Sequence, residues 1–128
     1  MDIKKLPILL IAIPLLAHAA NWTLVSLSTE GDKYFIDTQS ITRSGDSVTF
    51  WVKKNYASRD KYGDLSAKVN ETVNCRTRES NSRYMMFFDD LDNHGKQTSS
   101  FSPKDKAWEP IPPESVSESQ LKFVCKYK

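Results

Sequence analysis

Histidine is almost missing from this chain. Of the two, His18 lies in a leader read below as removed, and His94 stands alone in a polar turn. Zinc and iron sites draw on imidazole, thiolate and clustered carboxylates. One imidazole with scattered carboxylates does not assemble such a site, so no metal and no cofactor is expected. The same shortage takes away the base that a serine nucleophile needs. Glycine is scarce too: Gly31, Gly45, Gly63 and Gly95 punctuate four separate turns, and no glycine-rich loop is there to cradle a phosphate. Net charge is nearly absent. The chain has 18 basic and 16 acidic side chains, and without Lys4, Lys5 and Asp2 the remainder has 16 and 15. A formal charge of +1 gives no bulk attraction for nucleic acid. Asp90, Asp92, His94 and Gly95 imitate the start of a calcium loop, but its twelfth position is Phe101, where that loop needs a bidentate glutamate. These gaps together point away from an enzyme.

The N-terminus is the strongest positive signal. A short basic start with Lys4 and Lys5, an apolar run over 6–16 and the small residues around Ala19 read as a secretory signal peptide over 1–19, cleaved between Ala19 and Ala20. The run is too short to span a bilayer as a helix, and no later stretch is long enough either. Residues 20–128 then form one exported domain of modest size, free in the periplasm or at the cell surface.

Export decides how the two cysteines are read. An even count in an oxidising compartment implies a Cys75 to Cys125 disulfide rather than two buried thiols. Closing a loop of about 50 residues contributes roughly 4 kcal/mol in the chain-entropy account.

Alternating apolar residues bounded by Gly, Asp and Asn predict strands over 22–27, 33–37, 47–56, 67–76, 83–89 and 96–101. Residues 38–44 read as a connector or a single helical turn. In the third strand Val48, Phe50 and Val52 face one side while Thr49, Trp51 and Lys53 face the other. Residues 84–88 are all large and apolar, so that strand is either covered on both faces or displays a patch. Residues 103–113 hold too many prolines for a central strand and read as a crossover anchored by Trp108. Ser115 and Glu118 make a capping box, and Leu121, Val124 and Cys125 follow at helical spacing. Leu121, Phe123, Cys125 and Tyr127 also alternate as a strand would, but the cap and the prolines favour a short helix near 115–126. The expected fold is mainly β: a small antiparallel sheet of about six strands with a C-terminal helix tied back by one disulfide.

Two groups of residues invite a functional reading. Glu71 shares a strand face with Val69, Val73 and Cys75, where a buried carboxylate would be a site candidate; an edge position or an arginine partner is the favoured explanation. Arg76 and Arg78 beside the first cysteine, and Lys122, Lys126 and Lys128 beside the second, would be drawn together by the disulfide into a cationic surface, or simply form a solvated face. Trp51 and residues 85–88 offer apolar anchors.

The order of Trp22, the 34–37 strand, the 48–52 strand, Cys75-Arg76-Thr77-Arg78, then residues 108–115 leading to Val124-Cys125, resembles the bacterial surface-adhesin protein E-like domain family over nearly the whole of 20–128. The resemblance implies a compact antiparallel sheet with a disulfide-tied C-terminal helix. Its named member is a surface adhesin that binds host extracellular-matrix proteins. The lipid-anchor cysteine of an outer-membrane lipoprotein has no counterpart near Ala19. The expected function is thus an exported, non-enzymatic binding module of a Gram-negative envelope, with a protein or acidic polysaccharide partner outside the cytoplasm. A periplasmic accessory protein, or a small hydrolase or inhibitor, is the alternative.

Protein purified from its native envelope should begin at Ala20 and weigh two hydrogen atoms less than its reduced form. A retained leader by intact mass, or two thiols alkylated without reductant, would contradict this.

Overall fold

The computed structural model describes residues 19–105 and 107–128; apart from Ala19, the expected leader lies outside them. The strands are β1 (Trp22–Leu27), β2 (Lys33–Asp37), β3 (Thr42–Ser44), β4 (Ser47–Asn55), β5 (Ser66–Asn74), β6 (Glu79–Phe88), β7 (Gln97–Phe101) and β8 (Glu109–Pro110), followed by helix α1 (Val116–Lys126). Six main strands run β1-β2-β4-β5-β6-β7 in one antiparallel sheet, with β3 beside β4 and β8 beside β6. Each main strand therefore neighbours the main strand before it, with Gly31 in the connection from β1 to β2, Gly63 in that from β4 to β5 and Gly95 in that from β6 to β7.

The central ladder is β4 on β5, unbroken from Ser47 opposite Asn74 to Asn55 opposite Ser66. The other edge of β4 is shared. β2 pairs with Val52 to Asn55, and β3 with Ser47 to Thr49. Between them Asp37 caps a 3-10 turn, Thr38–Ser40, by accepting from Gln39 N at 3.0 Å. Ser40 Oγ then accepts the Trp51 N–H at 2.9 Å, so the donor left between the two short strands is not orphaned. The segment 38–44 thus holds both a helical turn and a strand.

One face of the sheet is core. Ile36, Val48, Phe50 and Val124 are wholly buried and Val73 and Leu121 nearly so, bringing sheet and helix into one cluster. The helix begins where Ser115 Oγ accepts from Glu118 N at 3.1 Å, and Glu118 Oε1 reaches back to the N–H of Glu114 rather than Ser115. At its other end Arg43 of β3 donates to the carbonyls of Val124 and Cys125, the first of which also accepts the N–H of the capping residue Tyr127 at 3.4 Å. The Cys75–Cys125 bridge, with Cα atoms 5.9 Å apart, ties that same end to the end of β5.

Two expectations are corrected. Trp108 does not anchor the crossover: it is 41 % exposed, whereas Ile111 is 7 % exposed and donates its N–H to Arg78 O at 3.0 Å. The reason is local. Pro110 stands in the two-residue β8 on the edge of β6, and the chain turns inward only after it. Residues 84–88 are neither core nor open patch but half-buried, because β7 pairs along their outer edge and is itself exposed throughout.

Leu121→Ala should cost about 2–5 kcal/mol in urea unfolding, and Trp108→Ala less than about 1 kcal/mol. Equal losses would place the crossover anchor at Trp108 after all.

Candidate functional site

Side chains alternate along a strand, so burying Phe50 and Val52 under the helix turns Trp51 and Lys53 to the opposite face. There Phe35, Lys53, Lys68 and Met86 stand in register across β2, β4, β5 and β6. Like charges directly opposite each other are unfavourable, and aromatic rings separate these two. Lys53 Nζ lies 5.0 Å from the Trp22 ring centroid and 4.8 Å from that of Phe35. Lys68 Nζ lies 5.0 Å from Trp51 and 6.0 Å from Trp22. Each contact at that range is worth about 0.5–1 kcal/mol where water reaches it.

The two lysines differ in how their charge is answered. Lys53 is buried and paired with Asp92 at 2.9 Å, in the turn after β6. Asn55 Nδ2 donates to the same carboxylate oxygen at 2.8 Å; that hydrogen bond first, and Lys53 second, hold the Asp92 carboxyl below its ordinary value. The turn is built to reach there: Asp92, Asn93 and Gly95 all take positive φ, and a Cβ at Gly95 would overlap Asp89 Oδ1. Lys68 has no carboxylate within ion-pair distance among the described residues; its neighbours are rings.

The residues singled out from the sequence divide between two surfaces. Trp51 belongs to this outer face. The disulfide does bring Arg76 and Lys126, neighbours of its two cysteines, to one end of the molecule on the helix side. Much of that cationic group is answered: Arg76 pairs with Asp46 at 3.0 Å, and Glu118 takes both Arg78 at 2.8 Å and Lys122 at 3.4 Å. Lys126 and Lys128 are exposed. Trp22, Phe35 and Lys68 were not singled out, because only strand register places them beside Trp51.

Glu71 is neither at a sheet edge nor paired with arginine. It sits on interior strand β5, facing the helix side opposite Phe50 and Ser82. An unbroken register from Asn70 opposite Tyr84 would set Arg83 across from Glu71. A β-bulge there pushes Arg83 out to solvent and brings Ser82, whose hydroxyl donates to Glu71 Oε1 at 2.6 Å. Burial pushes the Glu71 carboxyl above its ordinary value; the Ser82 bond opposes this and the carboxylate of Glu109 adds to it. His94 is exposed in the turn beyond Asp92, where its backbone N–H bonds Leu91 O, and it shares no site with Glu71.

A family model described as surface-adhesin protein E matches residues 22–126. No curated protein sequence matches the chain. Among solved structures, Haemophilus influenzae protein E aligns with a TM-score of 0.57 at 16 % identity, covering 83 % of this chain and 85 % of that one. Its crystal form II aligns with a TM-score of 0.55 at 19 % identity, covering 73 % and 81 %. At these identities the likeness is one of fold.

The raised carboxyl has a pH consequence. Glu71 stabilises the fold when protonated, fully below its unfolded value of about 4.3, and this contribution is lost as pH rises through the higher folded value. Glu71→Gln, which keeps the shape and removes the charge, should match the parent near that lower pH and exceed it in urea resistance towards neutrality. A difference that stays constant with pH would contradict this.

Proposed function

The chain belongs to the surface-adhesin protein E family, and from that membership we propose that it is an exported, non-enzymatic binding module that adheres to an extracellular-matrix or envelope macromolecule. In this reading residues 1–19 are the leader and residues 20–128 the working domain, in the periplasm or at the surface of a Gram-negative bacterium. The observation that carries the reading beyond the family is the outer sheet face. The one α-helix among the described residues covers the other side, and the face left over is furnished with Trp22, Phe35 and Trp51 rather than with the short polar side chains of an inert solvated sheet. Half-buried aromatics held in place by neighbouring lysines lose little freedom on contact, which is what an anchor residue requires. The cationic end near the disulfide is a weaker candidate, because three of its five charges already have acidic partners.

The test is accessibility followed by adhesion. On intact cells, antibody or added protease should reach the domain, and the purified oxidised protein should bind an immobilised extracellular-matrix preparation, with Trp51→Ala reducing retention by about tenfold. Protection from protease on whole cells, together with capture of envelope components alone, would replace adhesion by a periplasmic accessory role.

A further inference from the structure

Lys68 is the unusual residue of the outer face: a lysine in the middle of a sheet, flanked by the indoles of Trp51 and Trp22, with no carboxylate to answer it among the described residues. Its neighbour Lys53 shows how this fold settles a cation when the settlement is internal, by bringing Asp92 on a tight turn to 2.9 Å. Lys68 has rings beside it and an open side towards solvent.

We propose that this face binds an anionic glycan, a sulfated or uronic-acid polysaccharide lying across β4 and β5, with Trp51 and Trp22 stacking on sugar rings and Lys68 taking the sulfate or carboxylate. The inference rests on the adhesin reading and gives its partner a chemical class. Charge complementarity asks for an anion at Lys68, and the flanking indoles ask for something with an apolar flat face next to that anion. A pyranose presents its C–H face to an aromatic plane and carries its acidic group at the ring edge, so one residue of the polymer satisfies both. Its hydroxyls find polar partners on the same face in Asn70, opposite Trp51, and Tyr84, opposite Asn70.

An acidic polypeptide answers the charge less well. A peptide that binds a sheet gains most by adding a strand at a free edge, and no free edge lies here: β5 is paired on both sides at Lys68, and the outer edge of β4 is taken by β2 as far as Val52 and by Ser40 Oγ at the Trp51 N–H.

The experiment measures binding of the exported, oxidised protein to a heparin oligosaccharide, to a neutral oligosaccharide of equal length and to polyglutamate, by calorimetry with tryptophan fluorescence as a second readout. The parent should bind the heparin fragment, perturb its indole emission on doing so, and bind the neutral sugar at least about tenfold more weakly. Lys68→Gln, which keeps most of the side-chain stem, and Trp51→Ala should each weaken heparin binding by about tenfold or more, while a Lys126→Gln, Lys128→Gln double variant should leave it unchanged. If Trp51→Ala fails to fold, Trp51→Leu, with Trp108→Phe added so that the fluorescence readout comes from Trp22, serves instead. Equal binding of polyglutamate would assign the face to an acidic protein, and loss in the Lys126 and Lys128 variant alone would move the site to the helix end; either overturns the proposal. Matrix adhesion without heparin binding would overturn it while leaving the adhesin reading in place, and absence of both would remove the two together.

Discussion

The contact between one helix and one face of the sheet governs the rest of this molecule. Leu121 and Val124 bury themselves against Ile36, Val48 and Phe50, and the described residues hold no second helix to cover the other face. Strand alternation then leaves no choice about the other face: whatever lies between Phe50 and Val52 must look outward. That residue is Trp51, and it shares its face with Phe35, Lys53 and Lys68, which stand in register with one another across β2, β4 and β5. The disulfide and Arg43 hold the end of the helix in place, so the division into an inner and an outer face is enforced by covalent and polar contacts as well as by packing.

The two faces solve their charge problems differently. On the inner face Glu71 is kept from an arginine by a bulge and has a hydroxyl instead; burial raises its carboxyl and the Ser82 bond only partly opposes that. On the outer face two lysines lie beside aromatic rings; Lys53 has Asp92 as a counter-ion, while Lys68 has no carboxylate within ion-pair distance among the described residues. Desolvating a lysine is costly unless something negative or polarisable accompanies it. The rings do part of that for Lys68, and a bound anion would do the remainder.

Much of the fold was legible because it is written in local chemistry. The period-two pattern of 48–52 located both faces of β4, the Ser115 and Glu118 pair located the start of the helix against a competing strand pattern, and the cysteine count located its tether. Register was not legible. The bulge opposite Asn70 depends on how β6 lies against β5, so the sequence pattern near Glu71 suggested an arginine partner where the structure has Ser82. Trp108 misled for a similar reason: a large aromatic in a proline-rich segment looks like an anchor, yet which residue turns inward depends on where the edge pairing of Pro110 ends. Trp51 was found, but its companions come from three other strands and only the assembled sheet brings them to it.

The order of the strands also says something about how the molecule is made. Every main strand pairs with its predecessor in the chain, so the sheet closes through hairpins of low sequence separation, the kind that form quickly. Cys125 is separated from Cys75 by 50 positions and arrives on the last element. A chain emerging through a membrane from its N-terminus would therefore have its meander paired, with Phe50 and Ile36 still uncovered, before the thiol that locks the helix exists in the same compartment. For a chain exported as proposed, the interval between those two events would be when the inner face is most open to aggregation, and its length would depend on how fast the final residues are delivered and oxidised.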